Sequence, residues 1–162
     1  MDQFNRYLER LADLDVDLSV DTSFTDIEKD LREIAETYEE EPEEITELIE
    51  EGRRPLQPFL YNLTVYYPIS RYADLPLSPV VYQSPKPITP ADIIDSIGAV
   101  YRTPLSQETI NAYIQIDPRY SSLNEPILRT SIMGGPKLRD VVSGHSESLQ
   151  PYHDGYRLRI NS

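Results

Sequence analysis

The chain has 162 residues, 28 Asp and Glu against 15 Lys and Arg, a formal net charge of −13 and no cysteine. It is long enough to bury a core without staples, and the missing cysteines exclude thiol catalysis, iron–sulfur ligation and Cys-based zinc sites. The acidity is uneven: residues 1–52 hold 19 acids and 4 bases, a balance of −15, whereas residues 53–162 hold 9 acids and 11 bases, a balance of +2.

The opening "MDQFNRYLER" is amphipathic and carries acids, unlike a signal or transit peptide. No stretch approaches the roughly 18 apolar residues of a membrane span. The expectation is a soluble, intracellular protein.

In chain order, Phe4, Tyr7, Leu8 and Leu11 fall at i, i+3, i+4 and i+7 and predict a first helix. The polar break "DVDLSVDTSF" follows, its Asp and Ser side chains competing for backbone hydrogen bonds. Thr25, with Glu28 three residues on, reads as a capping box opening a second helix. Ile27, Leu31, Ile34, Ala35 and Tyr38 line its face. Pro42 suits the first turn of a third helix, Gly52 its stop, and Ile45, Leu48 and Ile49 its narrow apolar stripe. Three short helices with so few large apolar residues make a thin core, so they need the rest of the chain.

Between Pro55 and Pro90 lie eight of the fourteen prolines. Within this stretch "PFLYNLTVYY" alternates, so that Phe59, Tyr61, Leu63, Val65 and Tyr67 point one way in a strand. "PVVYQ", around Val80 to Tyr82, reads as a second strand, placed at an edge by its flanking proline. "PLQP", "PLSP" and "PITP" match the spacing of a proline-rich ligand, a match that is cheap in so proline-dense a stretch.

Thr89 is an expected N-cap, with Pro90 at the first helical position and Asp92 at the positive helix end. Ile93, Ile94, Ile97, Val100 and Tyr101 form that helix's buried face, and Gly98 within it signals the close approach of a neighbour. After "TPL", Ser106 caps a further helix carrying Ile110, Tyr113 and Ile114. "DPRYSSLNEP" is turn-rich, and "PILRTSIMGG" reads as a short helix stopped by Gly134 and Gly135. "KLRDVV" and "GYRLRI" read as two strands, Leu138 and Val141 or Val142 facing Tyr156, Leu158 and Ile160. The linker "SGHSESLQPYHD" joins them. The fold class is α+β: an acidic helical region (1–52), a proline- and tyrosine-rich connector with strands (53–88) and a C-terminal module (89–162), as separate parts or one domain.

The order helix, turn, helix and two-stranded hairpin in that module is winged-helix-like. Its candidate recognition helix, "SQETINAYIQ", has no Lys or Arg and contains Glu108. The bases Arg102, Arg119, Arg129, Lys137, Arg139, Arg157 and Arg159 are scattered singly. Phosphate contacts supply most of the affinity for nucleic acid, so direct nucleic-acid binding is not expected.

"ITPADIIDSIGAVYRTPLS", "KLRDVVSGH" and "GYRLRI" together resemble a module of uncharacterised proteins of large amoeba-infecting DNA viruses, of the Marseillevirus kind. The resemblance covers roughly residues 86–162 and brings no functional residue with it. It implies a viral protein of the host cytoplasm, the viral factory or the virion.

Chemistry-bearing motifs are sparse. His145 and His153, with Ser143, Ser146, Glu147 and Asp154, offer the letters of a metal site or a triad. Their eight-residue separation fits no helical ligand pair, and there is no nucleophile elbow. In "DLDVDLSVD", counted from Asp13, a calcium loop would need glycine at Leu18 and Glu at Phe24. The run "YEEEPEEITELIEE" offers carboxylates in similar settings, whereas an acid–base pair needs differentiated ones. No phosphate-binding glycine motif occurs. The expectation is a protein with no enzymatic activity, cofactor or metal.

Twelve Tyr against three Phe and no Trp is unusual. Tyrosine suits half-buried positions and interfaces. Tyr61, Tyr66, Tyr67, Tyr72 and Tyr82 are therefore candidate partner-binding residues, the alternative being a strand packed on the core with hydroxyls at its rim. Glu39, Glu40, Glu41, Glu43, Glu44, Glu47, Glu50 and Glu51 form a candidate acidic surface. The expected function is a non-catalytic protein-interaction or structural protein acting through surfaces and self-association, with no membrane partner. The alternative is an acidic chaperone or nucleic-acid mimic holding a basic partner such as a histone.

Overall fold

The computed structural model describes residues 1–37, 42–69, 77–124 and 136–161. The expected "PILRTSIMGG" helix, Gly134, Gly135, Arg129 and Tyr38 lie outside these residues. Helix α1 (Asp2–Asp13) buries the four residues its spacing selected, Phe4, Tyr7, Leu8 and Leu11. It ends in a Schellman motif: Asp15, at φ +58°, donates its N–H to the Ala12 carbonyl at 3.0 Å, and Val16 donates to Leu11 at 3.2 Å. Glycine usually fills that left-handed position.

Helix α2 (Phe24–Thr37) begins one residue before Thr25. Its first turn is satisfied by Ser23 Oγ, which accepts from the Asp26 N–H at 3.2 Å, and by Asp95 Oδ1, which accepts from the Phe24 N–H at 2.8 Å. A cap supplied from 71 residues away is invisible to local spacing. Helix α3 (Pro42–Gly52) buries Ile45, Leu48 and Ile49 as expected.

Strand β1 (Asn62–Tyr67) alternates as read, with Leu63, Val65 and Tyr67 buried. Phe59 and Tyr61 precede the strand, and Phe59 is 87% exposed, so the alternation starts later than expected. Strand β2 (Ser78–Gln83) pairs antiparallel with β1 and is an edge strand. Ser84 donates its N–H inward to the Tyr61 carbonyl at 2.9 Å. By two-residue parity Pro79 faces the open edge, where its missing N–H costs nothing.

Helix α4 (Pro90–Tyr101) is closed by the expected cap: Thr89 Oγ1 accepts from the Asp92 N–H at 3.1 Å and Asp92 Oδ2 from the Thr89 N–H at 3.0 Å. A Cβ on Gly98 would stand 2.3 Å from the Thr22 carbonyl oxygen, which is the close approach its position signalled. Helix α5 (Gln107–Ile116) is capped by Ser106, and a 3-10 helix (Pro118–Asn124) follows.

Of the two expected C-terminal strands, "GYRLRI" forms one and "KLRDVV" does not. "KLRDVV" forms a helical turn, α6 (Leu138–Val141), because Leu138, Val141 and Val142 are buried at i, i+3 and i+4 and Asp140 Oδ2 accepts from the Lys137 N–H at 2.7 Å. The polar linker instead holds strand β3 (His145–Tyr152), joined by the two-residue turn His153-Asp154 to β4 (Gly155–Asn161). A φ of +48° at His153 provides the left-handed geometry that hairpin turns use. The hairpin is no free-standing pair: β4 runs parallel to β1, giving a four-stranded sheet of order β2-β1-β4-β3 in a mixed α+β fold.

One hydrophobic core draws on all three sequence segments, from Phe4 through Val65 to Leu158. Asn5 on α1 grips the outer edge of β3, its Nδ2 donating to the Leu149 carbonyl and its Oδ1 accepting from the Leu149 N–H, both at 2.8 Å. The same edge is extended by Ser146 N–H to the Leu18 carbonyl at 2.9 Å and Val20 N–H to the Gly144 carbonyl at 3.0 Å. No helix among the described residues is long and apolar enough to cross a membrane.

Buried tyrosines direct their hydroxyls to backbone carbonyls: Tyr7 to Leu48 at 2.8 Å, Tyr101 to Pro68 at 2.8 Å and Tyr113 to Ile69 at 2.7 Å. Burial pushes Tyr67 and Tyr113 up to about 12 from an ordinary 10.0, and raises Tyr7 and Tyr101 further.

Two predictions follow from these contacts. Asn5→Ala leaves both Leu149 backbone groups without their side-chain partner, and urea denaturation should show a loss of about 1–3 kcal/mol. The tyrosines are protonated in both states below pH 10.0, while above it the unfolded chain loses protons that the folded chain keeps. Stability should therefore be flat on this account below pH 10.0 and fall as pH rises toward about 12, read by circular dichroism alongside tyrosinate absorbance.

Candidate functional site

The five candidate tyrosines do not form one face. Tyr67 is 1% exposed and meets the Tyr101 ring edge-on at 5.9 Å. It is a core residue, because it alternates with Leu63 and Val65 on the buried side of β1, as the alternative of a strand packed on the core requires. Tyr66 points to the opposite side, where its hydroxyl donates to Asp154 Oδ1 at 2.5 Å and its ring meets Tyr152 at 4.9 Å. That bond to a carboxylate raises the Tyr66 pKa. Tyr61 is 38% exposed before the strand begins, and Tyr82 lies half-buried beside Asp92 and Ser96 in a groove between β2 and α4. Tyr72 lies outside the described residues.

Of the candidate acidic surface, Glu39, Glu40 and Glu41 lie outside the described residues. Glu43, Glu44, Glu47 and Glu50 are exposed on α3, and Glu51 is half-buried and paired with Arg10. Glu50 meets Arg54 at 3.3 Å. Glu43, Glu44 and Glu47 have no cationic partner among the described residues.

A further concentration of charge was not read as a surface in the sequence. A groove of about 590 Å³ between the end of α1 and α2 is lined by Asp13, Asp15, Asp17, Asp30 and Glu33, with Leu14, Ile34 and Thr37, and by no Lys or Arg among the described residues. A second groove of about 600 Å³ shares Asp15 and Asp17 and adds Glu9 and Glu147, together with His145. Asp17 is held below the usual carboxylate range, first by the Ser19 hydroxyl, which donates to it at 2.5 Å, and then by the Ser19 N–H. His145 stands beside it, Nε2 to Oδ1 at 3.8 Å. The signal was present in the D-x-D spacing of "DLDVDLSVD". What concealed the groove is that Asp30 and Glu33 join it only through the helical turn of α2.

The two histidines are separated by the strand that replaced the expected loop. His145 opens β3 and His153 sits on the turn beyond its far end, about 25 Å apart at the rise of an extended strand. They cannot share a ligand. Among the described residues no group of three or more His, Asp and Glu side chains converges on a metal-sized space.

What the grooves can do is electrostatic. They concentrate carboxylates at a concave surface with little internal compensation, which attracts basic groups and repels phosphate. No known family model matches the chain, and among curated proteins and solved structures none is significantly similar to it.

Proposed function

We propose that the protein works non-catalytically, as a binding protein whose acidic grooves take up a Lys- and Arg-rich segment of a protein partner. The observation that carries this is the lining of the larger charge cluster: five carboxylates, three from the 13–17 segment and two from α2, with no Lys or Arg among the lining residues. Leu14 and Ile34 at the same surface provide apolar contact for the stems of long basic side chains.

Asp15 adds weight. It occupies a left-handed position at φ +58° where glycine is the unstrained choice, so the fold holds a carboxylate there at a local cost. Helix α5, the candidate recognition helix of the winged-helix-like order, carries no Lys or Arg, which supports a protein rather than a DNA partner. On this reading, with the viral resemblance of residues 86–162, the protein acts in the host cytoplasm, viral factory or virion.

The test is calorimetric titration with a Lys/Arg-rich peptide against the full chain. Binding should weaken steeply with salt, and Asp30→Lys with Glu33→Lys should lower affinity at least about tenfold. Asp15→Gly should also weaken it while leaving stability unchanged or raised by about 1 kcal/mol. A peptide that does not bind, or binds these variants as it binds the natural chain, overturns the proposal.

A further inference from the structure

The sheet has two unlike faces. Leu63, Val65, Tyr67, Leu149 and Leu158 point into the core. The opposite face shows Asn62, Val81, Gln83, Gln150 and Arg159 exposed, with Tyr66, Tyr152 and Arg157 half-buried among them. A sheet with mostly antiparallel pairs tolerates one wet face, so exposure alone identifies no partner. The charges do more.

In a chain with 28 acids, most described arginines find one. Arg10, Arg32, Arg53, Arg54, Arg119 and Arg139 each meet a carboxylate. Arg157 and Arg159, two residues apart on β4, meet none among the described residues, a condition otherwise shared by Arg6 on α1 and by Arg102, which donates to backbone carbonyls. Arg157 lies 5.9 Å from the Tyr152 ring centroid, and its buried Nε has no acceptor. The nearest acid along the hairpin, Asp154, is occupied by the Tyr66 hydroxyl. An arginine left without a carboxylate in so acidic a chain is a candidate partner for a carboxylate brought by another molecule, through the outer nitrogens of its guanidinium.

The complementary surface is α3. With Ile45, Leu48 and Ile49 turned into the core, Glu43, Glu47 and Glu50 fall at i, i+4 and i+7 on the exposed side. The Cβ atoms of neighbours on such a stripe stand about 6 Å apart. Alternate side chains on one face of a strand stand about 6.7 Å apart, so Arg157 and Arg159 match a pair of them. A helix laid on an uncovered sheet face is also a standard way of completing a layered fold.

We propose that a second copy of this chain docks α3 across the open sheet face, Glu43 and Glu47 of one copy pairing with Arg157 and Arg159 of the other. The contact uses neither acidic groove, so it goes beyond the binding of a basic partner and stands or falls separately from it.

Analytical ultracentrifugation of the full chain tests this. The natural protein should associate at low salt, and association should weaken at least about tenfold at high salt. Arg157→Glu with Arg159→Glu should give a monomer, as should Glu43→Lys with Glu47→Lys, each with an unchanged circular dichroism spectrum. Mixing the two charge-reversed proteins should restore association, which neither unfolding nor general charge effects would do. A natural chain that stays monomeric at all concentrations overturns the proposal, as does association that survives both reversals, or folded monomeric variants that fail to associate when mixed. A short single-stranded oligonucleotide that binds the monomeric natural chain, and not the arginine variant, would assign the face to nucleic acid instead.

Discussion

The structure depends on how the outer edge of β3 is closed. A strand edge left bare presents unpaired N–H and C=O groups to solvent and to other chains. Here the edge is taken by the acidic third: the Asn5 carboxamide makes both hydrogen bonds that a neighbouring strand would make to Leu149, and residues 18–20 continue the pairing toward Gly144 and Ser146. Because Asn5 lies between Phe4 and Tyr7, whose rings enter the core, the edge and the core are sealed by the same helix. Arg102 and Arg139 add a second tie, reaching the Asp21 carbonyl at 2.7 Å and its carboxylate at 2.6 Å. The acidic third is thereby a structural layer, and its surplus charge is displaced to the surfaces that remain.

Tyrosine solves a related problem. The helices are short and the connections long, which leaves backbone carbonyls near the core with no partner in a helix or sheet, and an unsatisfied buried carbonyl is costly. Tyr101 and Tyr113 reach the carbonyls of Pro68 and Ile69 just beyond β1, and Tyr7 reaches Leu48 on α3. Phenylalanine would fill the same volume and leave the Pro68 and Ile69 oxygens without these bonds. The excess of Tyr over Phe thus reflects the interior more than a partner-binding face.

Much of the helical architecture was legible because apolar spacing and capping chemistry act over a few residues. Phe4 to Leu11, Ile45 to Ile49, and the Thr89 and Ser106 caps all belong to this class. The strand β1 was legible from Leu63, Val65 and Tyr67. "GYRLRI" was read correctly, but the first strand of the hairpin was missed because β3 buries a single residue, Leu149, and owes its extended form to backbone pairing with β4 and the Asn5 edge. Nothing in "SGHSESLQPYHD" announces that pairing. "KLRDVV" misled in the opposite sense, since its three apolar residues suit one helical turn as well as a strand. The acidic groove was hidden because its carboxylates come from two elements that meet only in the folded chain, whereas the glutamate run on α3, conspicuous in sequence, is in part neutralised by Arg10 and Arg54.

The acidic N-terminal third is therefore part of the fold rather than a charged appendage. The most direct measurement is the folding of residues 53–162 alone, followed by circular dichroism and amide proton dispersion. With the β3 edge bare and Phe4, Tyr7, Leu8, Leu11, Ile27 and Leu31 gone from the core, the fragment should be unfolded or molten, with no cooperative transition. A fragment that unfolds cooperatively, with dispersed amide signals and near-native stability, would contradict the account.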